Sequence, residues 1–293
     1  MQIRKPAVAG QFYGGTKRAC IDEIKDCISL AHIPKEQLPE TIVAGIVPHA
    51  GWTFSGELAA MVFSAIKQAD EKVDTFVIFG AVHSYMGSLA AVYDKGQWRT
   101  PLGDIWIDET LAAEIIKTST PAESEPDAHK FEHSIEVQVP FIQHLFPKAK
   151  IVPVMTPPAT FAVQLGSDVA GCIKKVPDKK IVCIGSTDLT HYGPRYGFCP
   201  HGTGSEALKW AKEVNDQAFI DLAVNMKAQE VLTTSMEKEN ACGCGAAAAT
   251  IASAKAQGKT AGQLLSHTHS NEVMQQKFNQ SSEESVGYAA IVF

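Results

Sequence analysis

The feature that most limits what this chain can fold into is a set of short apolar runs without polar alternation. Residues 42–47 (IVAGIV), 73–79 (VDTFVIF), 151–155 (IVPVM) and 181–184 (IVCI) are rich in β-branched residues and bounded by loop formers; 285–293 (SVGYAAIVF) is a fifth candidate. A strand with one wet face alternates apolar and polar residues, whereas one buried on both faces does not. Between these runs lie helix-spaced segments at 56–67, 109–117, 135–146, 161–174, 206–223 and 245–256. Strands alternating with helices predict an α/β fold, one domain over residues 1–293, with a largely parallel sheet covered by helices on both faces. One stretch departs from the pattern. Residues 89–108 hold short strand-like pieces (AAVYD, QWRTPL, IWID) broken by Gly and Pro, which predicts a small antiparallel insertion. The polar stretch 118–130 reads as a surface lid or a linker.

Charge and cysteine usage narrow the function class. The 26 Lys and Arg are scattered among 32 Asp and Glu, giving a net charge of −6. No basic stripe is present to neutralise a phosphate backbone, so nucleic acid is not an expected partner. No apolar run approaches the ~20 residues that span a bilayer. Seven cysteines, an odd number and unevenly spaced, follow a start that lacks an apolar leader core. Free thiols in a reducing cytoplasm are the expectation. Nothing in the pattern predicts an oligomeric state.

The chemistry-bearing residues cluster after the strands. His49 follows the first run in GIVPHAGW, His83 follows the second in VIFGAVHSY, and Asp188 and His191 follow a later one in VCIGSTDLTHYG. Ligands of open α/β sheets bind beyond the carboxyl ends of the strands, where such loops converge. Any one of these histidines taken alone also reads as a loop residue bonded to a backbone carbonyl. In NACGCG, Cys242 and Cys244 open an Ala-rich helix, whose first-turn amides and dipole favour thiolate. The alternative is a pair of small residues packed under a Gly-rich turn. A zinc set of Cys199, His201, Cys242 and Cys244 is a rival, although Cys-x-Cys is not the usual structural-zinc spacing. In FEHSIEVQ, Glu132 and His133 precede a helix that Ser134 would cap. They either orient ligands and contact substrate or, with Glu136, form a capping cluster. Cys20 and Cys27 share a helical face, Cys172 and Cys183 lie in core elements, and His267 and His269 share one face of a possible strand.

Together RKPAVAGQFY, VPHAGWTFSG, GAVHSYMG, WRTPLG, EHSIEVQVPFIQ, STDLTHYG, NACGCG and SVGYAA occur in the order typical of the Memo family, called AmmeMemoRadiSam system protein B in bacteria and archaea. The resemblance runs from residue 3 to residue 293. It implies a fold similar to class III extradiol ring-cleavage dioxygenases, which hold a non-haem iron in an α/β crevice. It also implies a metal held by His49, His83 and Cys242, with Asp188 and the acid/base position His191 beside it. Family members are associated with copper or iron and with redox activity. Vertebrate members are associated with phosphorylated receptor peptides. Two departures stand out: Gly14 replaces the usual proline after Phe12-Tyr13, and Ala81-Val82 replaces the usual Pro-Asn before His83. A thiolate also stands where the dioxygenases use a carboxylate, and His/Cys sets favour softer or higher-affinity metals. Fold kinship alone therefore does not imply ring cleavage.

The expectation is a mononuclear His49/His83/Cys242 site, copper or iron favoured and zinc possible. His191, Asp188 and His133 would line its open side as the catalytic group of an oxidoreductase acting on a small molecule. Two other readings stay open. One is a non-catalytic module that binds an anionic or phosphorylated peptide in the metal crevice. The other is a metal-free enzyme with Cys242 as nucleophile and His191 as its base.

Overall fold

The computed structural model describes residues 2–31, 33–85 and 87–293, and in it the unalternating runs become adjacent parallel strands buried on both faces. In chain order the first elements are β1 (Ile3–Arg4), α1 (Lys17–Leu30), β2 (Ala44–Val47), α2 (Trp52–Ala69), β3 (Thr75–Gly80) and β4 (Ala90–Val92). Next come β5 (Gln97–Thr100), β6 (Gly103–Trp106), α3 (Glu109–Thr118), β7 (Ala122–Ser124), α4 (Val139–Leu145) and β8 (Lys150–Met155). The remainder is α5 (Ala162–Lys174), β9 (Ile181–Ser186), β10 (His191–Tyr192), α6 (Ser205–Trp210), α7 (Gln217–Val224), α8 (Ala228–Lys238), α9 (Cys244–Ala256), β11 (Gln263–His269), α10 (Ser270–Phe278) and β12 (Ser285–Val292).

The large sheet runs β10-β12-β2-β9-β3-β8-β4-β7, with β11 also on β12. Its centre, β2-β9-β3-β8, is parallel, while β12 joins β2 and β4 joins β8 in antiparallel sense. The register aligns the carboxyl ends: Val47 is opposite Ser186, Phe79 opposite Gly185, and Gly80 opposite Met155. The loops that follow β2, β3 and β9 therefore leave from one edge, as the placement of His49, His83 and Asp188 predicts.

Helices cover both faces. α2 packs on β2 and β12, backed by α1 and α4; α9 packs on β2, β3 and β9, backed by α5 and α8. α9 is buried from Cys244 to Ala254 and built mainly of alanine, so it lies close to its neighbours. A Cβ on Gly166 of α5 would sit 2.0 Å from Ala249 O, so glycine is required there.

Three local expectations change. The insertion is narrower than residues 89–108: β5 and β6 form an antiparallel hairpin with β1 on its edge, while β4 joins the large sheet. The stretch 118–130 is no lid, because β7 pairs with β4 and His129 is fully buried with Nε2 3.0 Å from Ala91 O. The helix expected over 135–146 starts later. A 3₁₀ turn spans Glu136–Gln138, α4 begins at Val139, and no side-chain cap is made. Glu136 and Gln138 spend their side chains on distant backbone and side-chain groups instead. Gly14 suits its position better than proline would, since its N–H donates to Glu23 Oε2 at 2.8 Å.

Asp108 joins three elements. Its carboxylate caps α3 through Leu111 N (3.2 Å) and accepts from Thr75 Oγ1 (2.7 Å) and Lys179 Nζ (3.2 Å). Burial pushes this carboxyl up, but the three donors outweigh it and hold it below the usual carboxylate range. Its contribution is therefore full above the unfolded value near 4 and is lost as pH falls through the lower folded value. Asp108→Asn should cost about 1–3 kcal/mol at pH 7. Denaturant titrations should show that difference shrinking at pH 3; an undiminished difference would exclude the charge as its source.

Candidate metal centre

His49, two residues beyond β2, is 2% exposed. Its Nδ1 lies 3.1 Å from Ser186 Oγ, at the end of β9. The Ser186 hydroxyl donates its only proton to Ser134 O (2.7 Å), so it accepts from Gln138 Nε2 (3.3 Å) and from His49 Nδ1–H. That arrangement assigns the proton to Nδ1 and leaves the lone pair on Nε2, which is 3.2 Å from Cys242 Sγ. His83, three residues beyond β3, is fixed the same way: Nδ1 is 2.9 Å from Glu132 Oε1, so Nε2 is free.

Donor atoms of His49, His83 and Cys242 all lie within 4.8 Å of one another. Metal–ligand bonds of ~2.0–2.3 Å require donors roughly 3.3–3.8 Å apart, so a small adjustment would fit one ion among them. Both imidazoles already carry the anchoring bond that metal-binding histidines need on their other nitrogen. Cys242 adds the third donor. Its N–H bonds Asp188 O at 3.2 Å. Burial first, and then the Asp188 carboxylate, push its thiol up. The thiolate expected from the helix start is thus opposed by desolvation, and a cation beside it is what would favour ionisation.

Glu132 is 1% exposed and fully used. It accepts from the backbone N–H groups of His83, His133 and Ser134, each at 2.9 Å, besides His83 Nδ1. Burial opposes its ionisation, but these donors hold it far below the usual carboxylate range. Burial likewise lowers His83, and the bond to Glu132 overrides that and raises it. A second group, His83, Glu132 and His133, also lies within 4.8 Å, yet its carboxylate is already saturated with donors. The His49/His83/Cys242 group has the free lone pairs.

The other expected residues lie alongside. His133 stacks on His83 with ring centroids 4.6 Å apart and meets His49 edge-on at 5.4 Å. Burial and the His83 charge lower it, favouring the neutral ring. Asp188 Oδ1 accepts from His49 N at 2.6 Å, and burial pushes its carboxyl up to about 6, against the pull of His191. His191 Nδ1 donates to Leu189 O (3.0 Å), which frees Nε2. His133, Asp188 and His191 line one cleft of about 510 Å³. Cys244 begins α9, is buried, and stays outside the group. Among the described residues, no three of Cys199, His201, Cys242 and Cys244 come within 4.8 Å, so the rival zinc set is not assembled.

Two supports escaped sequence reasoning. Arg4 donates Nε to His129 O, Nη2 to Glu132 O and Nη1 to Glu136, whose carboxylate also holds Tyr13 OH and the N–H groups of Ala7 and Val8. Asp216 accepts from Thr190 N at 2.9 Å and bonds His267 Nε2 at 3.0 Å, bracing the strand that carries His191. His267 gave a signal as a polar residue on one strand face, and Glu136 one that read as helix capping; Arg4 and Asp216 gave none.

Glu132→Gln tests the site's electrostatics without metal. The depressed glutamate contributes fully above its unfolded pKa of about 4.3, and the raised histidine below its unfolded pKa of about 6.5. The substitution should therefore cost most stability between those values, and an NMR titration should find His83 less basic. Metal affinity should fall by roughly 10–100-fold. An unchanged His83 titration would refute the pairing.

Comparison with known proteins agrees with the motif reading. The family described as Memo-like protein matches residues 4–292. A MEMO1 family protein of Thermococcus onnurineus is 37% identical over 299 residues, covering 99% of both chains. MEMO1 family proteins of Methanococcoides burtonii and Nitrosopumilus maritimus are 34% and 33% identical, again over 99% of each chain. With its motifs, its fold and its full-length relatives in agreement, this chain belongs to the Memo family.

Proposed function

We propose that the chain is a metal-dependent oxidoreductase in which His49, His83 and Cys242 hold one ion beside a small-molecule cleft. The observation that carries this reading is the convergence of two oriented imidazole lone pairs and one thiol. Two imidazoles and a thiolate suit copper or iron, and zinc fits the same donors. When bound, such an ion supplies a Lewis-acidic or redox-active centre. His83, whose side chain is 36% exposed, leaves that centre open to exogenous ligand.

The chain's own residues supply orientation and protons. Ser186 and Glu132 hold the two rings in the tautomer that donates from Nε2. His191 Nε2 takes or gives a proton at the cleft wall. Asp188, with its carboxyl near 6, sits beside it and is available in either protonation state close to neutral pH. His133 adds a neutral imidazole to the same wall. The raised Cys242 thiol weighs against a metal-free nucleophile, which needs a thiolate.

Metal analysis of protein purified anaerobically without a polyhistidine tag should find about one copper or iron per chain, with turnover of O₂ or peroxide. Metal-free protein that binds a phosphorylated peptide without turnover would favour the binding-module reading instead. Cys242→Ser should abolish tight metal binding, because a neutral hydroxyl replaces thiolate poorly. Cys244→Ser should keep the metal, and equal losses from both would refute the assignment. His191→Ala should keep most metal affinity while slowing turnover by ~10²-fold or more. Metal loss equal to that of His49→Ala would make His191 a ligand instead.

A further inference from the structure

The continuous helix over residues 205–224 is interrupted at its middle by a π-helical turn, Ala211–Asp216. Such turns are rare and occur frequently at functional sites. The last two residues of this one, Asn215 and Asp216, are 2% and 1% exposed and reach the same strand end. Asn215 Nδ2 donates to Thr190 Oγ1 (3.1 Å), and Asp216 Oδ1 accepts from the Thr190 N–H (2.9 Å). Thr190 immediately precedes His191 and follows Leu189, whose carbonyl accepts from His191 Nδ1. A Cβ at Gly287 would lie 2.0 Å from Asp216 Oδ2. Glycine at that point of β12 is what lets the carboxylate lie against the strand and reach His267 of β11.

The same asparagine holds a second segment. Asn215 Nδ2 also donates to Lys238 O (3.0 Å), and its own carbonyl accepts from Asn240 Nδ2 (2.9 Å). Cys242 follows two residues later, with its N–H on Asp188 O. Asn215 therefore joins the chain that carries Asp188 and His191 to the chain that presents Cys242. Two further departures from local preference fall on this join. Glu239, at the end of α8, has a φ of 51°, a left-handed conformation that glycine or asparagine normally supplies. Asn240 is fully buried, yet its Oδ1 has no protein partner, an uncompensated cost that folded chains seldom keep. Departures of this kind gather at functional sites rather than in plain scaffolding.

We propose that the π turn is a clamp that fixes the His191 segment against the Cys242 segment, with Asn215 and Asp216 as positioning residues. This role rests on the reading of Cys242 as a metal ligand and of His191 as the acid/base beside it. Neither Asn215 nor Asp216 lines the cleft or belongs to the donor group. Asp216 holds Thr190 by its backbone and Asn215 holds it by its side chain, so two separate bonds set the residue before His191. Lys238 and Asn240 register the approach of Cys242 to the same helix.

The test uses the full chain, ¹⁵N-labelled and metal-free, with His191→Gln to assign the ring nitrogens of His191. Co(II) is the probe metal, and its thiolate–cobalt absorption reports on Cys242. Asn215→Leu should move the His191 signals, alter that absorption and weaken Co(II) about tenfold, the low end for groups that orient ligands from behind. Thr190→Val releases only one arm, so it should move the His191 signals and leave Co(II) affinity close to that of the unaltered chain. Asp108→Asn, which loses buried hydrogen bonds at the amino end of β3, should change neither readout. Unmoved His191 signals in Thr190→Val would overturn the clamp, and so would a cobalt spectrum that Asn215→Leu alters no more than Asp108→Asn does. Failure of the unaltered chain to bind Co(II) would refute the metal reading instead, and the His191 signals of the metal-free protein would still decide the clamp.

Discussion

Most of the candidate centre depends on one buried negative charge, the Glu132 carboxylate. A lone carboxylate in so dry a place would take up a proton, but four N–H groups converge on this one. Three of those donors are backbone, so the charge shapes the loop after β3 and the turn that starts the following segment. The fourth is His83, whose ring is thereby aimed and kept basic. One side chain so fixes two loops, a tautomer and the local potential. Replacing it by an isosteric amide would turn two acceptors into one acceptor and one competing donor.

The segment from Glu132 to Gln138 extends this role. Nearly every residue in it bonds away from its own backbone: Ser134 to Ala81 and Ser186, Glu136 to the N-terminal arm, Val137 to Trp52, Gln138 to Pro48 and Ser186. Ile135 fills the space beside Gly80, where a Cβ would lie 2.4 Å from Ile135 Cγ1. The segment acts as a strap behind the candidate metal centre, joining β2, β3 and β9 at their carboxyl ends. That explains why an apparent helix start is a 3₁₀ turn: side chains that bridge strands are not free to cap.

Much of this was legible in the amino-acid order, and the failures share a cause. β2, β3, β8 and β9 were readable because burial on both faces leaves a chemical mark on each residue, and α2, α3 and α5 because periodicity survives over several turns; α9, buried on every side, showed instead as a run of alanine. His49, His83 and Asp188 were readable as strand-end residues, although only the register of β2, β9 and β3 brings them together. Glu136 and Arg4 were not readable as partners, since a bond across 132 positions leaves no local trace. α8 and α10 lack a strong start signal. The choice of Cys242 over Cys244 came from resemblance, and its physical reason, the approach to His49 Nε2, exists only in three dimensions.

The position of β12 has a consequence for the order in which the molecule is made. β12 is not an edge strand: β2, β10 and β11 all pair with it, and His191 is opposite Val286. A nascent chain emerges from its amino end over many seconds, with Arg4 and His49 available long before their partners. Until residues 285–292 are out, β2 lacks its outer neighbour and the His191 strand lacks its partner. Completion of the crevice therefore waits on residues 285–292, and a product that stops short of them would expose unpaired strand edges. Such an edge is a template for aggregation and a target for proteolysis. An unfinished copy would thus be removed before its crevice could form.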